Sequence, residues 1–509
     1  MNPCCDTIFH QITEWFKDCQ TTHRACSSTS GSAPQLLIPT RLIQVDGEAS
    51  QVRLAEVAKN LHKVTYTTLT HCWGMRPLLN TTTKTLHLRL HGVNFNDLPQ
   101  TFRDAVTITR TLGISYLWID ALCIVQDNRE DWQREASNIA EYYKNGALNI
   151  VAGTKDATLG LFEPRWEPKF QTVEIQRSPG PFCIGWLGSE AFSDANGTSV
   201  EEFPDNWRYL SRAHRRAWTL QEVRLARRNL VFQSNEDSSQ YCTRPISAQL
   251  YMKCQQQVIW ENGRQRKLED ASGIDDFRKW CALVEQYSGY QIAFSIDKLP
   301  AISALAREHA LKTSDEYLAA LWRRDLLAGL LWKTRPTEQG QQSSPSEAYQ
   351  APSWSWASVN SSIEYPWLMD ESPGAQILGC STTPTHSDLY SWVSDGHVAL
   401  RGFTRLFTLP AKEEGHDQKP LDIEELTEKG VLNIRCWLDT ADDLENKPLK
   451  VVSLLITKRV GLILNSSSMG KGAPINAAGQ FKRIGIMVIA KQDVEKWVLS
   501  SEQADIVIV

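Results

Sequence analysis

The stretch "LPQTFRDAVTITRTLGISYLWIDALCIVQD" (98–127) decides the fold. Pro99 suits the first turn of a helix, where the N–H it lacks has no partner anyway. Phe102, Val106, and Thr109 or Leu112 recur at helical spacing along one face, and Gly113 is the residue that ends it. "SYLWID" (115–120) follows at once as a short buried strand that closes on a carboxylate.

The same alternation extends on both sides. "VTYTTL" (64–69) is β-rich and runs into "THCWG", where Gly74 is a turn residue. "REDWQREASNIAEYYKNG" is an amphipathic helix with Trp132, Ala136, Ile139, Ala140 and Tyr143 inward and Gly146 at its end. "ALNIVA" (147–152) is the next strand, and "RRAWTLQEVRLARRNLVF" gives a short helix running into another. Strands alternating with helices of this length predict a parallel α/β sheet.

Beyond this module the pattern changes. Residues 1–50 read as a helical segment and linker, the latter containing the Ser/Gly-rich "SSTSGSAP" (27–34). The α/β domain spans 51–240, with a loop-rich stretch at 153–210. Residues 245–350 read as mainly helical, on the strength of "DDFRKWCALVEQYS" and "SDEYLAALWRRDLLAGLLW", and end in the polar loop 337–350. Residues 351–509 are β-rich. Short β-branched runs such as "HVALRGFTRL", "KVVSLLIT" and "RIGIMVIA" predict a mainly antiparallel subdomain. The linker at 466–480 contains "GKG" but lacks the spacing and βα context of a phosphate-binding loop.

The bulk numbers exclude several classes. A chain of 509 residues is too long for one core. A formal net charge of −5 supplies no general attraction to nucleic acid or acidic membrane surfaces. No window approaches the roughly 20 apolar residues of a membrane span, and the first residues lack the pattern of a secretory signal. A cytoplasmic protein is expected, with its 12 cysteines mostly reduced and buried. The 18 tryptophans are expected as packing anchors.

Cys19, His23 and Cys26 fall on one helical face, and Cys4 or Cys5 could add a fourth metal ligand. Strong zinc signals have tighter paired knuckles, so this face reads as a helix packing its thiols on the body, with no metal. Cys72 beside His71 invites a cysteine-nucleophile reading. Adjacent residues at a strand end point opposite ways, which argues against it, and Cys123 reads as buried and inert.

Three ordered blocks carry a resemblance. "YTTLTHCWG" (66–74) is similar to Y-x-x-L-S-x-x-W-G, residues 98–127 to a central block, and "RAWTLQE" (216–222) to R-x-W-T-x-Q-E of the fungal heterokaryon-incompatibility (HET) domain. Thr70 stands where that family usually has Ser, and Gly146 where Ala is common. "WFKDCQTTHRAC", "IPTRLIQV", "EYLAALWRRDLLAGLLW" and "APSWSWASV" also resemble sequence flanking that domain in long HET proteins. The resemblance implies a fold distantly similar to TIR domains, which are flavodoxin-like α/β modules. Several TIR domains cleave NAD, using a glutamate four residues after a tryptophan. Trp218 and Glu222 share that spacing.

On this resemblance Glu222 and Asp120 are the catalytic candidates, and Trp73, Trp118, Arg216 and Trp218 the substrate-binding ones. Arg212 and Arg215 lie close by in sequence. No cofactor is implied, because NAD would be the substrate. The family implies non-self recognition leading to growth arrest or cell death, with an incompatibility partner protein, self-association, and a sensor or regulator in 245–509. Two alternatives stand beside it: a non-catalytic signalling module, and an enzyme or accessory factor of fungal secondary metabolism acting on an apolar small molecule.

Overall fold

A computed structural model describes residues 6–27, 37–57, 64–74, 79–162, 172–177, 180–185, 216–233, 250–268, 275–335, 349–366, 373–411, 420–427, 430–440, 443–444, 447–466 and 480–509. Cys4, Cys5, Arg212, Arg215, and most of the connector at 27–34, the polar loop at 337–350 and the linker at 466–480 lie outside them. The chain divides into two compact units, 1–270 and 271–509. Among the described residues no helix is long and apolar enough to cross a membrane.

The first unit begins with helices α1 (Asp6–Thr22) and α2 (Arg24–Ser27). Strands β1 (Arg41–Gln44), β2 (Gln51–Glu56) and β3 (Tyr66–Thr70) follow, then α3 (Leu86–His91) and β4 (Val93–Asn94). The deciding stretch forms α4 (Gln100–Thr111), β5 (Tyr116–Trp118) and the one-turn helix α5 (Asp120–Cys123). Pro99 caps α4, and Gly113, at φ +68°, turns the chain out of it. Phe102, Val106 and Thr109 are buried as the spacing predicts.

Helix α6 (Arg129–Asn145) and β6 (Leu148–Ala152) come next, then a hairpin of β7 (Thr172–Arg177) and β8 (Gly180–Gly185). Helix α7 (Ala217–Leu225) leads into β9 (Arg228–Phe232). Strands β10 (Leu250–Cys254), β11 (Gln257–Trp260) and β12 (Gln265–Lys267) finish the unit.

The sheet has ten strands, in the order β12-β11-β10-β9-β6-β3-β5-β1-β2-β4. Its centre, β5-β3-β6-β9, is parallel. Every strand added outside that centre is antiparallel. The sheet is therefore mixed rather than parallel throughout. Residues 250–267, expected in a helical region, are strands of it, because short runs such as "LYMKC" and "QVIW" find an open edge at β9. Residues 41–44 of the expected linker form β1 on the other side.

Helix α6 buries charge that its pattern hides. Arg41 pairs with Asp131 and donates to the Cys123 carbonyl at 2.7 Å. Glu135, fully buried, accepts from Thr40 at 2.6 Å and from Tyr142 at 2.9 Å. Each buried carboxylate is thus partnered, which is what makes its burial tolerable.

In the second unit, helices Asp276–Ser288 and Ser303–Thr313 match the helical expectation. "EYLAALW" does not. Tyr317–Leu318 and Leu321–Trp322 pair as a hairpin, with Ala319 at φ 43° and Ala320 at φ 74°. A two-residue hairpin turn requires such angles. The indoles of Trp280 and Trp356 both donate to the Ala320 carbonyl, so tertiary bonding overrides local helix preference.

The C-terminal β region is an eight-stranded, mainly antiparallel sheet. Five of its strands (393–409, 449–455, 460–466, 480–489 and 502–508) pair in a closed circuit. Buried Arg483 pairs with Asp439 at 3.0 Å and lies 3.4 Å over the Trp332 ring. Trp280, Trp322, Trp332, Trp354 and Trp356 are all buried, in the anchoring role expected of them.

Candidate active site

The carboxyl ends of β3 and β5 face the first turns of α5 and α7. This is where an open α/β sheet offers backbone and side chains to a ligand. β3 is wholly buried and ends at Thr70, so His71, Cys72 and Trp73 emerge together. β5 ends at Trp118, and Asp120 opens α5, accepting from the Ala121 N–H at 2.7 Å.

Four of the six residues expected from sequence meet here. The Trp73 indole donates to Asp120 Oδ2 at 3.0 Å. Arg216, at the N-cap of α7, donates through Nη1 to the His71 carbonyl at 2.7 Å. Glu222, one turn along α7, is partly exposed and close enough to Asp120 and Arg216 to feel both charges. Its carboxyl is pushed up to about 7, by burial first and by the negative charge of Asp120 second. Hydrogen bonds with Thr70 and Tyr143, and the charge of Arg216, pull the other way without cancelling those effects.

The other two sit differently. Trp118 is 0% exposed and packs between the rings of Tyr142 and Tyr143, with centroids 5.6 and 5.5 Å away. Its position is that of a core residue. Trp218 is partly exposed in the first turn of α7.

A side-chain ladder holds α7 in place. Thr68 and Asn149 are cross-strand partners, as are Asn149 and Asn229. Thr68 donates to Asn149 Oδ1 at 3.0 Å, Asn149 Nδ2 to Asn229 Oδ1 at 3.0 Å, and Asn229 Nδ2 to the Val223 carbonyl on α7 at 2.9 Å. Asn149 also bonds Thr70. Fully paired buried amides fix geometry firmly, and here the last rung lies one residue from Glu222.

Sequence reasoning missed Thr70, Tyr143 and Asp156 and set His71 aside. The His71 ring is buried edge-on against Phe102, with centroids 5.0 Å apart, and Nδ1 lies 3.7 Å from Asp120 Oδ1. Burial pulls its pKa down, so the imidazole is neutral. Neither ring nitrogen has a hydrogen-bond partner among the described residues. Cys72 interacts instead with Arg216, and burial pushes its thiol up, leaving it a poor nucleophile. Cys123 is likewise buried, its thiol pushed up to about 12.

Gly74, at φ +79°, lies against Asp156. A Cβ there would stand 2.4 Å from the Asp156 carboxylate. The positive φ explains the glycine, as the turn reading anticipates.

A cleft of about 300 Å³, lined by Val64, Thr65, Asn145, Gly146 and Arg227 among others, opens at the amino ends of the same strands. It holds none of the convergent carboxylates, and it lies at the end of the sheet that ligands seldom use.

Residues 66–222 match the family model described as heterokaryon incompatibility protein (HET). This segment is a HET domain. Neither a curated protein nor a solved structure matches the chain. The HET domain so delimited begins at the first residue of β3 and ends at Glu222, so its two boundaries are the strand and the helix that frame the site.

Proposed function

We propose that the HET domain cleaves the nicotinamide–ribose bond of NAD, and that the chain acts through this reaction in heterokaryon incompatibility, leading to growth arrest or cell death. The observation that carries the reading is Glu222, raised to about 7 beside Asp120 at the carboxyl ends of β3 and β5. The parallel strands, taken in chain order, lie 2-1-3-4 across the sheet. That is the flavodoxin-like order, and it supports a TIR-like ancestry.

The chemistry fits the groups present. In NAD the nicotinamide ring is a pyridinium. When its bond to the ribose C1′ breaks, both electrons go to the ring nitrogen and the ring leaves neutral, so no general acid is needed. Charge develops instead on the ribose as an oxocarbenium ion. Glu222, as carboxylate, stabilises that charge. Asp120 positions a ribose hydroxyl or the water that adds to C1′, whose proton passes to solvent. Trp73 is partly exposed and tethered through its N–H to Asp120, which sets an aromatic ring beside that carboxylate for stacking on a base. Arg216 brings a guanidinium to the same strand ends, the group suited to a phosphate. The 271–509 unit is then the sensor or regulator of this centre.

The test is free nicotinamide, followed by chromatography after incubating the full chain with NAD. Release by the wild type that vanishes in folded Glu222→Ala and Glu222→Gln supports the proposal. No release at micromolar protein, with crowding agents added to promote assembly, refutes it for the isolated protein.

A further inference from the structure

At the other end of the first unit, Cys19, His23, Cys26 and Cys254 converge. One ligand atom from each lies within 4.8 Å of all the others. His23 and Cys254 are 231 residues apart in sequence, yet His23 Nδ1 and Cys254 Sγ are 3.4 Å apart. A tetrahedral zinc ion with ordinary Zn–S and Zn–N bonds sets that edge at about 3.6 Å. All three cysteines are free thiols and buried. We propose that these four side chains form a structural zinc site that staples the N-terminal helices to the sheet.

Local structure points the ligands inward. Cys19 is in the last turns of α1, and the helix breaks at His23 before α2 begins at Arg24. The N–H of Cys26 caps the turn on the His23 carbonyl at 3.1 Å. Cys254 ends β10, where the chain reverses into β11, and the N–H groups of Gln256 and Gln257 both point at its sulfur at 3.4 Å. Backbone donors aimed at a sulfur in such a reversal are what a thiolate ligand requires.

The surrounding charge matches as well. Three thiolates and one neutral imidazole around Zn²⁺ leave one negative charge. Arg228 lies against it, donating Nε to Cys19 Sγ at 3.1 Å and Nη2 to the Cys26 carbonyl at 3.0 Å. Its guanidinium is held over the Phe16 ring, 5.7 Å from the centroid. Three soft sulfurs and one imidazole select zinc over the oxygen-seeking cations. Four protein ligands leave no open position, which marks a structural rather than a catalytic ion. The fourth ligand is Cys254, supplied from far along the chain, so the pattern carries no paired knuckle to read in sequence.

The experiment uses the full chain, tag-free and purified without chelator, with bound metal measured by mass spectrometry of the elements. The wild type is expected to hold about one zinc per chain, and Cys254→Ala close to none. His23→Cys keeps four ligands and is expected to retain the ion, which separates ligation from folding. Cobalt(II) exchanged into the wild type should give the visible bands of tetrahedral thiolate coordination. Two results overturn the proposal: folded wild-type protein that holds no zinc with the thiols free or joined as a disulfide, or full zinc retention by Cys254→Ala. Neither readout depends on NAD cleavage.

Discussion

Glu222→Gln should make the protein more stable at alkaline pH while removing its activity. The folded carboxyl is raised from 4.5 to about 7. Between those values the unfolded chain has released its proton and the folded chain has not. Stability therefore falls as pH rises through this window, and the full penalty applies above about pH 7. At about 1.4 kcal/mol per tenfold change in proton affinity, the raised pKa of Glu222 costs roughly 3 kcal/mol at pH 8 and about 1.4 kcal/mol at pH 5.5, relative to acid solution where both states are protonated. Glutamine removes the charge and keeps an oxygen for Thr70 and Tyr143. In a unit of this size the gain at pH 8 corresponds to roughly 5–10 °C in Tm. Other titrating groups cancel when wild type and variant are compared at the same pH. The assay is denaturant or thermal unfolding of both proteins at pH 5.5 and pH 8. A variant no more stable than wild type at pH 8, or a difference that does not grow with pH, refutes the view that Glu222 is held at a cost in stability. A gain that grows with pH would show that Glu222 is held at a cost in stability, as the catalytic role proposed for it requires.

Two further predictions follow from the same geometry. If a pyridinium substrate is drawn to the ionised carboxyl, kcat/KM for NAD should rise with pH to a plateau, with a midpoint near 7 set by Glu222 in the free enzyme; a flat profile between pH 5.5 and 8 contradicts this. Trp118→Ala should lower stability by about 3–5 kcal/mol through lost core packing, whereas Trp73→Ala should cost nicotinamide release far more than stability, which unfolding and turnover measured on both variants will distinguish.

Much of the first unit is written locally. Pro99 and Gly113 punctuate α4, and the inward face between them needs no tertiary information. Asp120 could be singled out because it follows a short buried strand, and Glu222 because it shares with Trp218 the spacing of the TIR glutamate. His71 could not be weighted the same way. Its meeting with Asp120 depends on β3 and β5 being neighbours, which two residues of strand end cannot announce. Trp118 shows the reverse: its block is specific, but specificity does not tell a ring that packs from a ring that binds. The hairpin at 317–322 was hidden because its alanines and leucines favour a helix until two distant indoles claim the Ala320 carbonyl. Cys254 was hidden by sheer distance along the chain.

The sheet that carries the site also has two margins. One is β4, only two residues long. The other is β12, three residues that are all exposed, with Arg266 and Lys267 among them. A brief edge and a cationic one both discourage a second sheet from docking by backbone pairing. Self-association of this unit, if it accompanies signalling, is thereby steered toward its helices and loops and away from growth into a continuous β-fibre. Short and charged margins of this kind guard the sheet against amyloid-like polymerisation.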